Sequence, residues 1–358
     1  MTSSLDYSKK TLRDYSLDWI AGLLTVVVIL LHIEIFTDYC LGFWKVWGER
    51  VLYFFMAWFF YKSGMFEKEY SFSTTWRKVW RTLIVPYLFF SIIAWIIWIP
   101  QYFYSNESVL LLLRITISRF IDLNIIPGNN PMWFLVGLAG CRLIYPWAKK
   151  LVGNNYIISL IGFGVAYCYH LVYVDVTHKY FMLGIAQSCV AMAFYALGAE
   201  LRYKQYSKSL FCLSSIVYVI AVILFPPIIN FAYAGSISSE LSWACSLPLC
   251  IAGIITWNNI IRMCPAKFFK ICNLGYIGRN SMTYYSAHWS IIITLSFLYH
   301  EEGPKILGLP LQWAMVVSCV VILPVADILL RRYLPWAVGV KGRVRKGVEV
   351  GAATDPLP

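Results

Sequence analysis

The stretch LDWIAGLLTVVVILLHIEIF, residues 17–36, decides the fold class of this chain. It is apolar for about 20 residues, which at roughly 1.5 Å per residue is enough to cross the hydrocarbon core of a bilayer. Two ionisable side chains interrupt it, Asp18 near its start and His32 near its end. Because ionisable groups are costly inside a membrane, their presence in a span indicates a functional site.

The composition extends this interpretation to the whole chain. Its 358 residues are 59% hydrophobic and 13% charged, whereas soluble domains carry about 25% charged residues, so we predict a polytopic membrane protein. The ten Cys are scattered singly, without a C-x-x-C pair, which argues against a metal site. The net charge of +12 lies mostly in alternate loops, as is typical of membrane proteins, and we therefore expect no nucleic-acid partner.

The apolar segments predict an all-α integral membrane protein with about ten transmembrane helices. These segments are residues 17–36, 51–66, 82–100, 132–147, 156–174, 181–201, 210–231, 241–261, 280–298 and 311–330. An amphipathic segment at 108–123 is expected at the membrane interface, and IIPGNNP (125–131) is expected to be a turn-rich loop. We assign residues 1–335 to a single membrane domain and 336–358 to a basic and polar tail, partly disordered.

The distribution of basic residues predicts the orientation. Of the 30 Lys and Arg, 23 fall on the side of both predicted termini, 6 on the opposite side, and Arg142 within the fourth span. The positive-inside rule therefore places both termini in the cytoplasm, in a chain expected to be embedded among the lipids of the inner, cytoplasmic membrane. On this orientation His32 lies about 22 Å from Leu17 along the helix, in the outer part of the membrane.

Four stretches, in their order and spacing, resemble the acyltransferase-3 family of integral membrane O-acyltransferases. They are LDWIAGLLTVVVILLH (17–32), FFYKSGMF (59–66), RKVWRTLIVPY (77–87), and the pair PMWFL (131–135) with IGRNSMTYYSAH (277–288). The first looks like the family's Asp-containing opening helix, which ends in its essential His. This chain departs from the family at one position, because Ala21 stands where many members carry an Arg eleven residues before that His.

The resemblance implies an enzyme that transfers an acyl group, most simply acetyl, from cytoplasmic acyl-CoA to a hydroxyl of an extracytoplasmic glycan or lipid-linked sugar. Acyl-CoA is then a co-substrate, and no bound cofactor or metal is expected. His32 is the candidate catalytic residue, since a neutral imidazole can remove a hydroxyl proton as a general base. The acyl group could pass directly from donor to acceptor or through an acyl-His intermediate, and the sequence leaves both mechanisms open. A structural His32, hydrogen-bonded to a neighbouring helix, is the alternative role.

Arg77 and Arg81 are candidates for binding the phosphates of the donor. They are four residues apart and share a helix face, and guanidinium groups bind phosphate bidentately. The alternative is that both are ordinary basic anchors on the cytoplasmic side, a role that needs no ligand. The resemblance to the family favours donor binding. The remaining candidates for lining the site are Asp18, Ser63, Trp133, Asn280, Ser281, Tyr284 and His288.

Two of those candidates have alternative roles. Asp18 is expected to pair with a cytoplasmic Arg and so to hold the first span in register. His288 lies either in the same cavity as His32 or as a satisfied intramembrane His in its own span. Any carboxylate that orients the His32 imidazole is expected on another span or loop, because Glu34 points about 200° away from it on a helix. The possible carboxylates on the outer side are Asp38, Asp122 and Asp175.

Two other functions are compatible with the sequence. One is a ten-span transporter or flippase for a lipid-linked sugar, with His32 as a proton-coupling group. Such transporters are commonly built from repeated halves, and no internal repeat is visible here. The other is N-acylation of an amino sugar at the same site. The sequence does not fix the acyl group, the acceptor or the oligomeric state.

Overall fold

The computed structural model describes residues 15–37, 46–68, 70–105, 108–171, 182–202, 206–224, 240–265, 267–298 and 304–340. Within these ranges the chain is helical almost throughout and contains no β-strand. The prediction of an all-α protein is therefore confirmed. The N-terminal arm (1–14) and most of the predicted tail (341–358) lie outside the described residues.

The α-helices alternate with short connections along the chain. They are α1 (Tyr15–Thr37), α2 (Phe55–Met65), α3 (Phe72–Val79), α4 (Val85–Ser105), α5 (Val109–Leu123), α6 (Trp133–Val152), α7 (Asn155–Tyr169), α8 (Leu183–Leu201), α9 (Lys208–Leu224), α10 (Glu240–Met263), α11 (Leu274–Arg279), α12 (Ser281–Leu298) and α13 (Pro304–Tyr333). Shorter helical turns lie at Val46–Val51, Trp80–Ile84, Asn130–Met132, Phe268–Asn273 and Pro335–Val338.

Several of these helices are long and apolar enough to cross a membrane. Among the described residues, the candidate spans by length and composition are Tyr15–Glu34, Phe72–Tyr104, Leu183–Leu201 and Pro310–Tyr333, and two shorter apolar helices are Asn155–Tyr169 and Lys208–Leu224. These helices support a multi-pass membrane protein. The count of ten spans and the cytoplasmic position of the termini stay predictions.

The helical run around the third predicted span begins ten residues earlier than expected, at Phe72 rather than Thr82. Ser71 caps it, since its side-chain oxygen accepts a hydrogen bond from the backbone N–H of Thr74 at 3.4 Å. A π-helical turn, Trp80–Ile84, joins α3 to α4 just before Pro86. The proline ring crowds the preceding turn, and a wider turn relieves that crowding. The basic segment is therefore helical and continuous with the span.

Close backbone contacts hold α1 against α11. A Cβ atom added at Gly22 would overlap the carbonyl of Leu274, and one added at Gly278 would overlap the carbonyl of Asp18. Small residues at such crossings let helix backbones approach closely in membranes. Because α12 follows α11 with only Asn280 between them, this contact sets where α12 lies relative to α1.

The loop before α6 is folded into the bundle rather than lying at its surface. Pro127, Gly128 and Asn129 are buried, and the backbone of Gly128 lies against the carbonyl of Ala94 on α4. Gly128 has a φ of +92°, which an L-residue rarely adopts. From the other side the hydroxyl of Tyr285 on α12 donates a hydrogen bond to the carbonyl of Pro131. The predicted turn-rich loop is thus a packed element beside the start of α12.

Candidate active site

The fold brings His32 and His288 into direct contact. Nδ1 of His32 lies 2.9 Å from Nε2 of His288, a hydrogen-bond distance. The two imidazole rings are nearly parallel, with centroids 5.1 Å apart and planes inclined by 16°. These residues are 256 positions apart in the chain, on α1 and α12, so their contact depends on how the two helices pack. We call this pair the histidine dyad.

The surroundings of the dyad are different for its two members. His288 is fully buried, whereas His32 is half-buried. The indole ring of Trp289 packs edge-on against His32, with centroids 5.0 Å apart, and the ring of Tyr285 lies 6.0 Å from that of His288. Packing on both sides fixes the imidazole of His32 in one orientation and leaves part of it accessible.

The neighbours of His288 favour one protonation arrangement in the neutral dyad. Its Nδ1 is buried and faces the backbone carbonyls of Tyr284 and Tyr285, one turn back on α12, outside ideal hydrogen-bond geometry. Carbonyl oxygens accept hydrogen bonds only, so the proton of His288 belongs on Nδ1, and Nε2 is then the acceptor. In that tautomer His32 donates from Nδ1, which leaves its own Nε2 unprotonated. No described residue hydrogen-bonds that nitrogen.

The group that orients His32 is therefore another histidine, where sequence reasoning looked to carboxylates. Among the outer carboxylates considered, Asp122 is hydrogen-bonded to Ser118 on its own helix at 2.7 Å, and Asp38 and Asp175 lie outside the described residues. The ranges that the structure describes contain no cluster of three or more His, Cys, Asp or Glu arranged to hold a metal ion.

A cavity of about 250 Å³ lies among α1, α2, α6 and α12, and we call it the four-helix cavity. The polar residues that line it are Thr25, Lys62, Ser63, Arg142, Ser281 and Tyr285. Phe66, which also lines it, is 58% exposed, so the cavity opens to the outside at the end of α2. At its inner end Tyr285 borders His288 of the dyad.

Two of the seven predicted lining residues, Ser63 and Ser281, face this cavity, and the other five do not line it. His288 belongs to the dyad, and Asp18 lies beside Lys62. Trp133 is buried against Phe60, with ring centroids 6.3 Å apart. Tyr284 lines a second, mostly apolar cavity of about 500 Å³ between α1, α11, α12 and α13. Asn280 ends α11, with its backbone N–H bonded to the carbonyls of Tyr276 and Ile277, and it is not among the lining residues of either cavity.

Asp18 lies beside the basic side chain of Lys62, and the expected pairing of Asp18 with an Arg stays a prediction. Nζ of Lys62 is 3.9 Å from the Asp18 carboxylate and donates a hydrogen bond to the carbonyl of Leu17 at 3.3 Å. Lys62 therefore ties α2 to the first turn of α1. This contact is consistent with the structural role expected for Asp18.

Arg77 and Arg81 lie on α3 and the π-helical turn, which pack against α6. Arg77 is exposed and donates hydrogen bonds to the carbonyl and hydroxyl of Ser73, at 3.3 and 3.2 Å. Nε of Arg81 is buried without a hydrogen-bond partner in the described part of the chain. The lining of the four-helix cavity includes neither residue.

Sequence reasoning did not select Lys62, Arg142 and Tyr285 for the site. Arg142 carried a usable signal, because an Arg within an apolar span is costly and indicates function. Tyr285 and Lys62 carried no such signal in the sequence, since interfacial Tyr and Lys are common in membrane proteins.

The family profile of the acyltransferase domain matches residues 14–331, nearly the whole chain. The chain therefore belongs to the acyltransferase-3 family, whose members are membrane acyltransferases. No curated protein and no solved structure matches it. The match includes both members of the histidine dyad and every wall of the four-helix cavity.

Proposed function

We propose that this protein transfers an acyl group, most simply acetyl, from cytoplasmic acyl-CoA to a hydroxyl of a glycan or lipid-linked sugar at the extracytoplasmic face of the cell membrane. The observation that carries the proposal is the histidine dyad, with its Nδ1–Nε2 contact of 2.9 Å. When His288 accepts this hydrogen bond, Nε2 of His32 is unprotonated and can accept a proton. Membership of an acyltransferase family supports this function over transport of a lipid-linked sugar.

In the proposed reaction, Nε2 of His32 removes the proton of the acceptor hydroxyl. The oxygen attacks the thioester carbonyl carbon, and the C–O bond forms as the carbonyl π-electrons move onto oxygen. When the tetrahedral intermediate collapses, the C–S bond breaks and the CoA thiolate takes the proton from the His32 imidazolium. The products are an ester and free CoA, and His32 is neutral again. His288 accepts the Nδ1–H hydrogen bond of His32 throughout.

The donor would enter from the cytoplasm, with its adenosine part near Arg77 and Arg81 and its thioester reaching the dyad through the four-helix cavity. Phe66, exposed at one end of this cavity, and Tyr285, beside His288 at the other, support this path. The acceptor would approach the part of the His32 side chain that stays exposed, since this residue is only half-buried.

Replacing the proposed base tests the function directly. We expect His32→Gln to lower acyl transfer from acetyl-CoA to the surface glycan by at least about 100-fold, the usual contribution of a general base. The measurement is glycan acetylation in membrane vesicles, with protein level and thermal stability matched to wild type. Full activity in a normally folded His32→Gln protein would exclude His32 as the base.

A further inference from the structure

Two cationic side chains enter the four-helix cavity from different helices. Lys62 comes from α2 and Arg142 from α6, and the cavity lining contains no carboxylate. Ser63 and Ser281 add hydroxyl groups to the same lining. A cavity with two cations, hydroxyl donors and no acidic group favours an anionic ligand.

Arg142 has no ion-pair partner in the part of the chain that the structure describes. Within the ranges that the structure describes, its guanidinium makes no hydrogen bond and no ion pair. Glu67, the carboxylate that shares the neighbours Tyr195 and Cys141 with Arg142, forms no ion pair with it and accepts a hydrogen bond from the hydroxyl of Tyr195. Since a charge without an ion-pair partner is costly inside a membrane bundle, the position of Arg142 at the cavity favours a ligand that supplies a counter-charge.

The distance from Arg142 to the dyad fits a particular ligand. Arg142 lies eight residues, or about 12 Å, along α6 from Phe134, whose ring packs on Tyr285 at 5.6 Å. His288 lies one further turn along α12, about 4.5 Å away. The pantetheine arm between the diphosphate and the sulfur of acyl-CoA contains two amide units, and by peptide spacing it spans roughly 15 Å when extended. The extended arm of a diphosphate bound at Arg142 is thus comparable in length to this helical path toward the dyad.

The size of the cavity limits which part of the donor it can hold. At about 250 Å³ it is smaller than the roughly 300–1,000 Å³ of sites that enclose a whole drug-sized ligand. The adenosine part would have to stay outside, on the side where α3 packs against α6. Arg77 on α3 is exposed there.

From these observations we infer that Arg142 and Lys62 form an inner anion site that binds the diphosphate of acyl-CoA. This inference rests on the proposed function. It separates the phosphates of the donor into two groups: the diphosphate lies at Arg142 and Lys62, and the 3′-phosphate lies outside the cavity at Arg77 and Arg81. When the diphosphate binds, it competes with Asp18 for the ammonium group of Lys62.

Binding of CoA and of 3′-dephospho-CoA to purified protein in nanodiscs tests this division. We expect Arg142→Gln to raise the Kd of both ligands about tenfold, because both carry the diphosphate and a charge-assisted hydrogen bond contributes about that factor. Arg77→Gln is expected to raise the Kd of CoA only. Arg119→Gln, an exposed charge on α5, is the matched control and should change neither value.

The possible results separate the inner site from the proposed function. The inner site is overturned if Arg142→Gln leaves both Kd values within twofold of those of the wild type, or if it raises the Kd of CoA alone. Acyl-CoA stays the proposed donor in either case. If the wild-type protein binds neither ligand, the assignment of acyl-CoA as the donor is overturned, and so is the inner site. Thermal unfolding checks that the variant is folded. If it is not, Lys62→Gln carries the same test, with the same two ligands.

Discussion

At the residue scale, the hydrogen bond between the two imidazoles assigns different roles to identical side chains. His32 is half-buried, whereas His288 is fully buried. When His32 donates the hydrogen bond, it keeps an unprotonated Nε2, and His288 serves only as the acceptor. His288 is thus a positioning residue in the proposed reaction. It replaces the carboxylate that often orients a catalytic imidazole, at no cost of burying a negative charge.

Substituting His288 separates positioning from packing. We expect His288→Leu to lower kcat by about tenfold or more with little change in the KM for acetyl-CoA, because His32 loses the acceptor that selects its tautomer. His288→Gln should recover part of the loss, since its amide oxygen can accept the same hydrogen bond. Steady-state kinetics of both variants check this expectation. Equal losses in the two variants would mean that His288 acts by packing alone.

At the element scale, the crossing of α1 and α11 determines whether the dyad can form. Gly22 lies against the backbone of Leu274, so a methyl group there forces the helices apart. We expect Gly22→Ala to destabilise the protein by about 1–3 kcal/mol, the usual effect of overpacking, and to lower acyl transfer because α12 follows α11 directly. Thermal unfolding in detergent and the vesicle assay measure the two effects.

Gly275 provides the matched control for this substitution. It lies on α11 itself, and a Cβ there meets no atom within 4 Å. Gly275→Ala should therefore be neutral or stabilising by up to about 1 kcal/mol, since alanine has the higher helix propensity. Equal destabilisation by both substitutions would show that the α1–α11 contact is not the cause.

At the scale of the whole molecule, the orientation in the membrane decides which substrate can reach which end of the site. The four-helix cavity opens at the end of α2 and is lined there by Lys62 and Phe66. The excess of Lys and Arg on the side of the termini predicts that this end faces the cytoplasm. Acyl-CoA would then have access to the cavity without crossing the bilayer.

Reporter fusions test this orientation. A C-terminal fusion to a fluorescent protein that folds only in the cytoplasm should be bright, and a fusion to alkaline phosphatase, which is active only outside, should be silent. A fusion placed after residue 105, in the connection before α5, should show the reverse pattern. The opposite result would mean that the cavity opens to the external side, and it would exclude entry of a cytoplasmic donor by this route.

Much of the fold follows from local sequence. Long apolar runs predict helices because each helix satisfies its own backbone hydrogen bonds inside a membrane, and the amphipathic segment before IIPGNNP is observed as α5 (Val109–Leu123). The cost of burying an ionisable group was enough to single out His32. The start of α3 was missed, because the basic residues on Phe72–Val79 resemble a loop when hydropathy alone is considered.

The composition of the site depends on contacts between helices that are far apart in the chain. The pairing of His32 with His288, and the presence of Lys62 and Arg142 in one cavity lining, require α1, α2, α6 and α12 to pack at particular distances and rotations. Glycine contacts such as Gly22 with Leu274 set those distances. Hydropathy records only that a helix is apolar, and the face it turns to each neighbour is settled by packing. The sequence by itself therefore determined the helices and His32, while the tertiary structure decided the partner of His32 and the charges that face the cavity.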